Sequence, residues 1–207
     1  MILDAPVDEG TTRLVLVRHA EPEATARGRC HGSLDVPLSA KGRLTAEALA
    51  RALARVPLTA VYSSPLRRAL ETAAPIAAAH RLAPVLHDGL RELDFGELEG
   101  ARYEDIAAER PELFQAWMES PTAVRFPGGE AFAELRARAV TAAEELRLRH
   151  AGSTTAVVAH GGVTRTILAA ALAMPDDALF RLGQPYGAVS VVDWLGDTPV
   201  VQAVNLA

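Results

Sequence analysis

Twice in this chain a short run of small and branched apolar residues stops at a histidine. The runs are Leu14-Val15-Leu16-Val17-Arg18-His19 and Thr154-Thr155-Ala156-Val157-Val158-Ala159-His160. Runs of that length, rich in Val, Leu and Ala and closed by charge, fit strands buried on both faces of a parallel sheet. In open α/β sheets, ligands bind in the crevice beyond the carboxyl ends of the strands. If both strands are central and parallel, that crevice receives two imidazoles and the Arg18 guanidinium. Arg18 offers a permanent planar fork for phosphate or carboxylate, and a neutral histidine offers a nucleophilic or basic nitrogen. The combination suggests attack on an anion.

The segments between repeat a strand-then-helix order. Pro22 to Leu38, with Gly28, Gly32 and Pro37, reads as a long loop over the first strand end. Ser39 is a plausible N-cap for a helix over Arg43 to Arg55, with Leu44, Ala48, Leu49, Ala52 and Leu53 on one face. Leu58 to Tyr62 reads as a strand, Leu66 to His80 as a helix entered through Pro65, and Ala83 to Leu86 as a brief edge strand. Leu90 to Gly100 is an irregular loop. Tyr103 to Glu119 suggests two short helices broken at Pro111, and Ser120 to Glu130 is loop again. A long helix over Glu130 to His150 precedes the second histidine strand, and a helix over Val163 to Ala173 follows it. Ala188 to Trp194 and Val200 to Val204, joined around Gly196-Asp197, predict a closing hairpin. The expected architecture is a three-layer α/β/α sandwich with a mostly parallel central sheet, in one domain over 1–207 with a helical insertion near 97–130.

Composition narrows the function. The net charge of −5 argues against nonspecific nucleic-acid binding, which needs basic surface to displace counterions. The single cysteine, Cys30, excludes an internal disulfide and a cysteine-rich zinc site, and a C-x5-R phosphate loop is absent because Val36 stands at the arginine position. No apolar run is long enough for a membrane span, and Met1 to Thr12 lacks the pattern of a signal peptide, so a cytoplasmic location is expected. Nothing in the residues fixes an oligomeric state.

Ser64-Pro65-Leu66-Arg67-Arg68-Ala69 follows a strand and opens a helix, so one of its two arginines can reach back into the crevice as a second clamp. Arg91-Glu92-Leu93-Asp94-Phe95-Gly96 supplies a carboxyl group in a partly apolar loop. The glycines after His160 let a ligand approach the backbone, and the helix beginning there turns free N–H groups toward an anion.

Taken in order, Arg18-His19-Ala20-Glu21, Gly32 to Ser39, Ser64 to Ala73, Arg91 to Gly100 and His160-Gly161-Gly162 resemble the motifs of the histidine phosphatase superfamily, the phosphoglycerate-mutase-like proteins. The resemblance covers nearly the whole chain. It implies that His19 takes the phosphoryl group while Arg18, Arg68 and His160 hold its oxygens, and it selects Arg68 over Arg67. It implies that Glu92, protonated when substrate is bound, is the acid for the leaving group and then the base for water. Gly161 adds its amide, and Thr25, His31 and Gly32 align with substrate-contacting positions. Two guanidiniums and an imidazolium around the phosphoryl oxygens supply the charge that a metal supplies elsewhere, so neither metal nor cofactor is expected.

Ala20 stands where the family often has Gly, and Thr25 where many members carry Asn. The short Trp117 to Glu130 passage resembles the phosphatase branch, acting on a small phosphorylated substrate. Within it, Gly28-Arg29-Cys30-His31-Gly32 and Pro127-Gly128-Gly129-Glu130 look somewhat like the α-ribazole phosphatases. The alternatives are a 2,3-bisphosphoglycerate-dependent phosphoglycerate mutase and a phosphate-binding module without turnover.

Overall fold

The computed structural model describes residues 7–206. Its six-stranded sheet has the order β3-β2-β4-β1-β5-β6, with β1 at Thr11–Arg18, β2 at Leu58–Ser63, β3 at Val85–Leu86, β4 at Thr154–Ala159, β5 at Val189–Leu195 and β6 at Thr198–Leu206. β1, β4, β2 and β3 run parallel, while β5 pairs antiparallel with β1 and forms the closing hairpin with β6. Arg18 is in register with Ala159, so His19 and His160 leave neighbouring strands at the same edge of the sheet.

Residues of alternating parity on β1 feed two cores. Leu14 and Leu16 join Val157, Val192 and Trp194 against α5 (Phe132–Arg149) and α6 (Gly161–Ala171). Val15 and Val17 join Ala156, Val158 and Val191 against α1 (Ala40–Leu53) and α2 (Arg67–Ala79). A strand covered on both faces has no polar side to show, which explains why the run from Leu14 to Val17 lacks alternation. At the opposite end of the sheet, buried Arg13 on β1 forks onto Asp193 on β5 through two hydrogen bonds of 2.7 and 2.8 Å.

The three layers and the mostly parallel sheet follow the expectation, and three details correct it. On α1 the buried face is Gly42, Ala46, Leu49, Ala50 and Leu53, whereas Leu44 is 72% exposed. Ser39 does cap this helix, accepting from Gly42 N at 2.9 Å. Gly42 lies so close to the Glu21 carbonyl that a Cβ there would come within 2.1 Å of it, and this contact turns the glycine side inward and Leu44 out. α6 starts at Gly161, two residues before the expected Val163, with His160 as its N-cap residue. α2 begins at Arg67, so Pro65 precedes the helix rather than sitting in its first turn.

α3 (Tyr103–Glu109) and α4 (Pro111–Glu119) meet at Pro111, the first residue of α4, where a missing N–H costs nothing. They enclose a third core of Cys30, Leu98, Ile106, Trp117, Val124 and Phe126 beside the crevice. No helix among the described residues is long and apolar enough to cross a membrane.

Candidate active site

The site opens beyond the carboxyl ends of β1, β2 and β4. The rings of His19 and His160 stand 5.0 Å apart between centroids, at 61° to each other. His19 is fully buried among its neighbours, and its Nδ1 lies 2.7 Å from the Ala20 carbonyl oxygen. A carbonyl only accepts, so Nδ1 carries the proton and Nε2 keeps its lone pair. Burial, and then the charges of Arg68 and Arg18, hold the His19 pKa well below the ordinary histidine value. The ring is therefore neutral at neutral pH.

His160 presents Nε2 to Ser64 Oγ at 2.8 Å. Its Nδ1 is buried without a hydrogen-bond partner among the described residues. When the Ser64 hydroxyl donates to Nε2, Nδ1 carries the proton and has a free donor for a ligand. Burial first, then Arg68, His19 and Arg18, lower the His160 pKa well below its usual value. In the free site His160 is thus a neutral donor, because three cationic or polar neighbours and the lack of water disfavour a further charge.

Two guanidiniums flank the imidazoles. Arg18 donates through Nη1 to the Gln184 carbonyl and lies 4.2 Å from the centre of the Tyr186 ring. Arg68 is fully buried, and its terminal nitrogens donate to the carbonyls of Leu34 at 2.7 Å, His31 at 3.1 Å and Gly32 at 2.7 Å. Arg67 instead pairs with Glu71 on the surface at 2.6 Å. The Nε atoms of both Arg18 and Arg68 are buried with no partner among the described residues. Buried orphan donors are costly, and three of them around one pair of imidazoles are what an anion would satisfy.

Glu92 reaches the site from the loop before α3. Its Oε2 accepts from Gly162 N and its Oε1 from Leu93 N, each at 3.0 Å. A Cβ at Gly162 would lie 2.3 Å from Glu92 Oε1, so the glycine leaves the Glu92 carboxyl its place. Arg138 on α5 secures the loop from behind: it donates to the carbonyls of Glu92 at 2.9 Å and Gly89 at 3.2 Å, and also to that of Arg91, while forking onto Glu130.

Gly161 opens α6 against Arg18, with space for a Cβ only 3.3 Å from the guanidinium. His31 lines a cleft of about 220 Å3 together with Arg29, Tyr103 and Tyr186. Gly32 has both backbone groups engaged, its N–H by Glu99 at 3.1 Å and its carbonyl by Arg68. It thus builds the loop wall. Thr25 sits exposed in the turn at Ala24–Ala26 and has no hydrogen bond among the described residues. Cys30 is buried, and that burial together with Glu99 pushes its thiol up to about 12, which leaves no thiolate for chemistry.

Sequence reasoning missed Ser64, Gln184, Tyr186, Arg138 and Glu99. Ser64 and Glu99 lie inside stretches singled out for other residues, where a side chain tied to a partner distant in sequence has no periodic signature. Glu99 accepts from the amides of Gly32, Ser33, Leu34 and Phe95 and so joins the two site loops. Gln184 and Tyr186 belong to an aperiodic connection that carried no signal.

An α/β sandwich that gathers two neutral imidazoles, the half-buried Arg18 and buried Arg68 guanidiniums and a carboxyl group beyond parallel strand ends defines a phosphoryl-handling hydrolase. The chain belongs to the histidine phosphatase superfamily (branch 1), whose model matches residues 14–207. Phosphoserine phosphatase 1 of Hydrogenobacter thermophilus is 36% identical over 94% of this chain and 92% of its own length. Among solved structures, the mycobacterial glucosyl-3-phosphoglycerate phosphatase superposes with a TM-score of 0.86 at 28% identity, covering 95% of this chain and all of its own. A putative alpha-ribazole-5'-P phosphatase from Escherichia coli gives a TM-score of 0.87 at 28% identity, over 94% and 96% of the two chains. The protein is a phosphatase of this superfamily, acting on small phosphorylated substrates.

Proposed function

We propose that the protein hydrolyses a phosphomonoester in two steps through phosphorylated His19. The observation that carries this is the bond from His19 Nδ1 to the Ala20 carbonyl, which fixes the tautomer and frees Nε2 beside Arg18 and Arg68. In the first step Nε2 bonds to phosphorus, the ester P–O bond breaks, and Glu92 gives its proton to the departing oxygen. In the second, Glu92 takes a proton from water, the hydroxide oxygen bonds to phosphorus, and the P–N bond breaks to release phosphate. Glu92 is then protonated and His19 neutral, ready for another cycle.

Arg18, Arg68, the His160 N–H and the Gly161 amide hold the three non-bridging oxygens. A phosphate dianion held by His160 favours the protonated form of that ring, so His160 gains charge as substrate arrives while His19 keeps its Nε2 lone pair. With two guanidiniums supplying the countercharge, turnover needs no metal. His31 contacts the substrate from the cleft wall, with Gly32 and Thr25 acting through the shape of the same loop.

The names of the relatives put phosphoserine and phosphoglycerate-derived esters on the test panel. The protein is mixed with a 32P-labelled ester in the presence of EDTA and quenched in alkali within milliseconds. Label that stays on the wild type in base, leaves in acid and is absent from His19→Ala is the expected result. Acid-stable label would overturn the histidine intermediate, and isomerisation of 3-phosphoglycerate without phosphate release would replace hydrolysis by mutase action.

A further inference from the structure

Beside Glu92 lies a second cavity of about 200 Å3, which does not include His31 in its wall. Its wall is built from Phe95, Tyr103, Trp117, Phe132 and Phe180, with Arg165 as the one cation. The aromatic rings support one another: Phe95 and Tyr103 each stand 5.6 Å from Trp117 between centroids, on tilted planes. Arg165 is held by the Leu182 carbonyl at 2.8 Å and sits 5.3 Å from the Phe180 ring, with no carboxylate at ion-pair distance among the described residues. Glu92 is the only acid in the wall, and both its oxygens already accept amide hydrogens.

Glu92 borders both this cavity and the His19 site, so a leaving group whose oxygen receives the Glu92 proton extends into the aromatic chamber. We propose that this chamber selects phosphomonoesters of apolar, preferably aromatic alcohols and disfavours amino alcohols. The inference rests on the hydrolytic reading above. An apolar cavity of about 150 Å3 is already enough for a benzene ring. Aromatic walls favour such a ring by burial and by edge or offset contacts. An ammonium placed there loses its water and meets the like charge of Arg165. Phosphoserine, the substrate in the name of the relative from Hydrogenobacter, brings such an ammonium. The chamber thus sets this chain apart from that activity.

The test compares kcat/KM for 2-phenylethyl phosphate, O-phosphoethanolamine and O-phosphoserine, all esters of primary alcohols, so that leaving-group acidity weighs little in the comparison. A preference for the phenylethyl ester of about tenfold or more is expected from the burial of one ring. Phe180 is 54% exposed on the rim, so Phe180→Ala folds and reduces that ratio several-fold. Equal or better turnover of either amino ester overturns the proposal.

Calorimetry with 2-phenylethylphosphonate and 2-aminoethylphosphonate reads the chamber without turnover. Preferential binding of the phenyl compound with no ester hydrolysed sustains the chamber and overturns hydrolysis. Equal binding of the two, with hydrolysis intact, overturns the chamber alone.

Discussion

Asn205 on the last strand accepts a hydrogen bond from Gln184 Nε2 at 2.7 Å and donates one to the Gly183 carbonyl at 2.6 Å. The loop it fastens carries the Gln184 carbonyl and the Tyr186 ring, which together hold Arg18. Asn205 has a φ of 56°, a conformation asparagine tolerates and glycine adopts freely. Asn205→Gly therefore keeps the backbone and removes only the two bonds. Each contributes about 1 kcal/mol to stability, so Tm falls by roughly 4–8 °C, and the loosened loop weakens the hold on Arg18, so kcat/KM falls mainly through KM for a phosphate ester. An unchanged KM would detach Asn205 from the site.

Arg138 touches no substrate, yet it fixes the backbone of Glu92 through Nη2, which together with Nε also forks onto Glu130. Replacing it with Met releases the loop, and small misplacements of an acid cost between about tenfold and a hundredfold in kcat. Lysine does not restore the activity, because it lacks the planar fork. If Arg138 works by positioning Glu92, the defect is large for alkyl phosphates and much smaller for 2,4-dinitrophenyl phosphate, whose leaving group needs no proton. An equal defect on both esters would mean a general structural role.

Much of this site was legible because its parts end strands or open helices. Hydrophobic runs that stop at His19 and His160 mark buried strands, and the motif around Arg68 follows from its place after β2. The face of α1 was misread because a glycine contact with the Glu21 carbonyl, a tertiary event, outweighs the leucine at position 44. The ties made by Ser64, Glu99 and Asn205 join side chains to partners far away in sequence, and such bonds leave no period to read. The neutrality of His160 depends on how completely the folded site excludes water, which no local pattern encodes.

Two glycines of the site separate activity from stability. At Gly162 a Cβ would meet the end of the Glu92 side chain at 2.3 Å, and a carboxyl group at the end of a flexible chain can move aside. At Gly32 the obstacle is the Leu93 carbonyl at 1.7 Å, which is backbone. Gly162→Ala is therefore expected to lower kcat by about tenfold or more with Tm nearly unchanged. Gly32→Ala is expected to lose about 2 kcal/mol or more of stability through overpacking. Thermal melts beside initial rates decide it, and a Gly162→Ala protein as active as the wild type would remove Glu92 from the chemistry.

Two buried neutral histidines also make the fold sensitive to acid. In the unfolded chain an imidazole takes up its proton near pH 6.5, while in the folded protein His19 and His160 stay neutral to well below that value. Between those limits the unfolded state binds more protons, so stability is level above pH 6.5 and falls as pH drops toward the folded pKa values. Each histidine contributes a slope of up to about 1.4 kcal/mol per pH unit in that window. Burial also lowers the pKa of His31, which acts in the same direction. Urea unfolding of the wild type and of His160→Gln at pH 8, 6.5 and 5.5 tests this. The wild type should lose more stability than the variant between 6.5 and 5.5, and the two should run parallel from 8 to 6.5. Coincident slopes over the lower interval would mean that His160 carries a proton in the folded protein, and the neutral donor assigned to it would have to be given up.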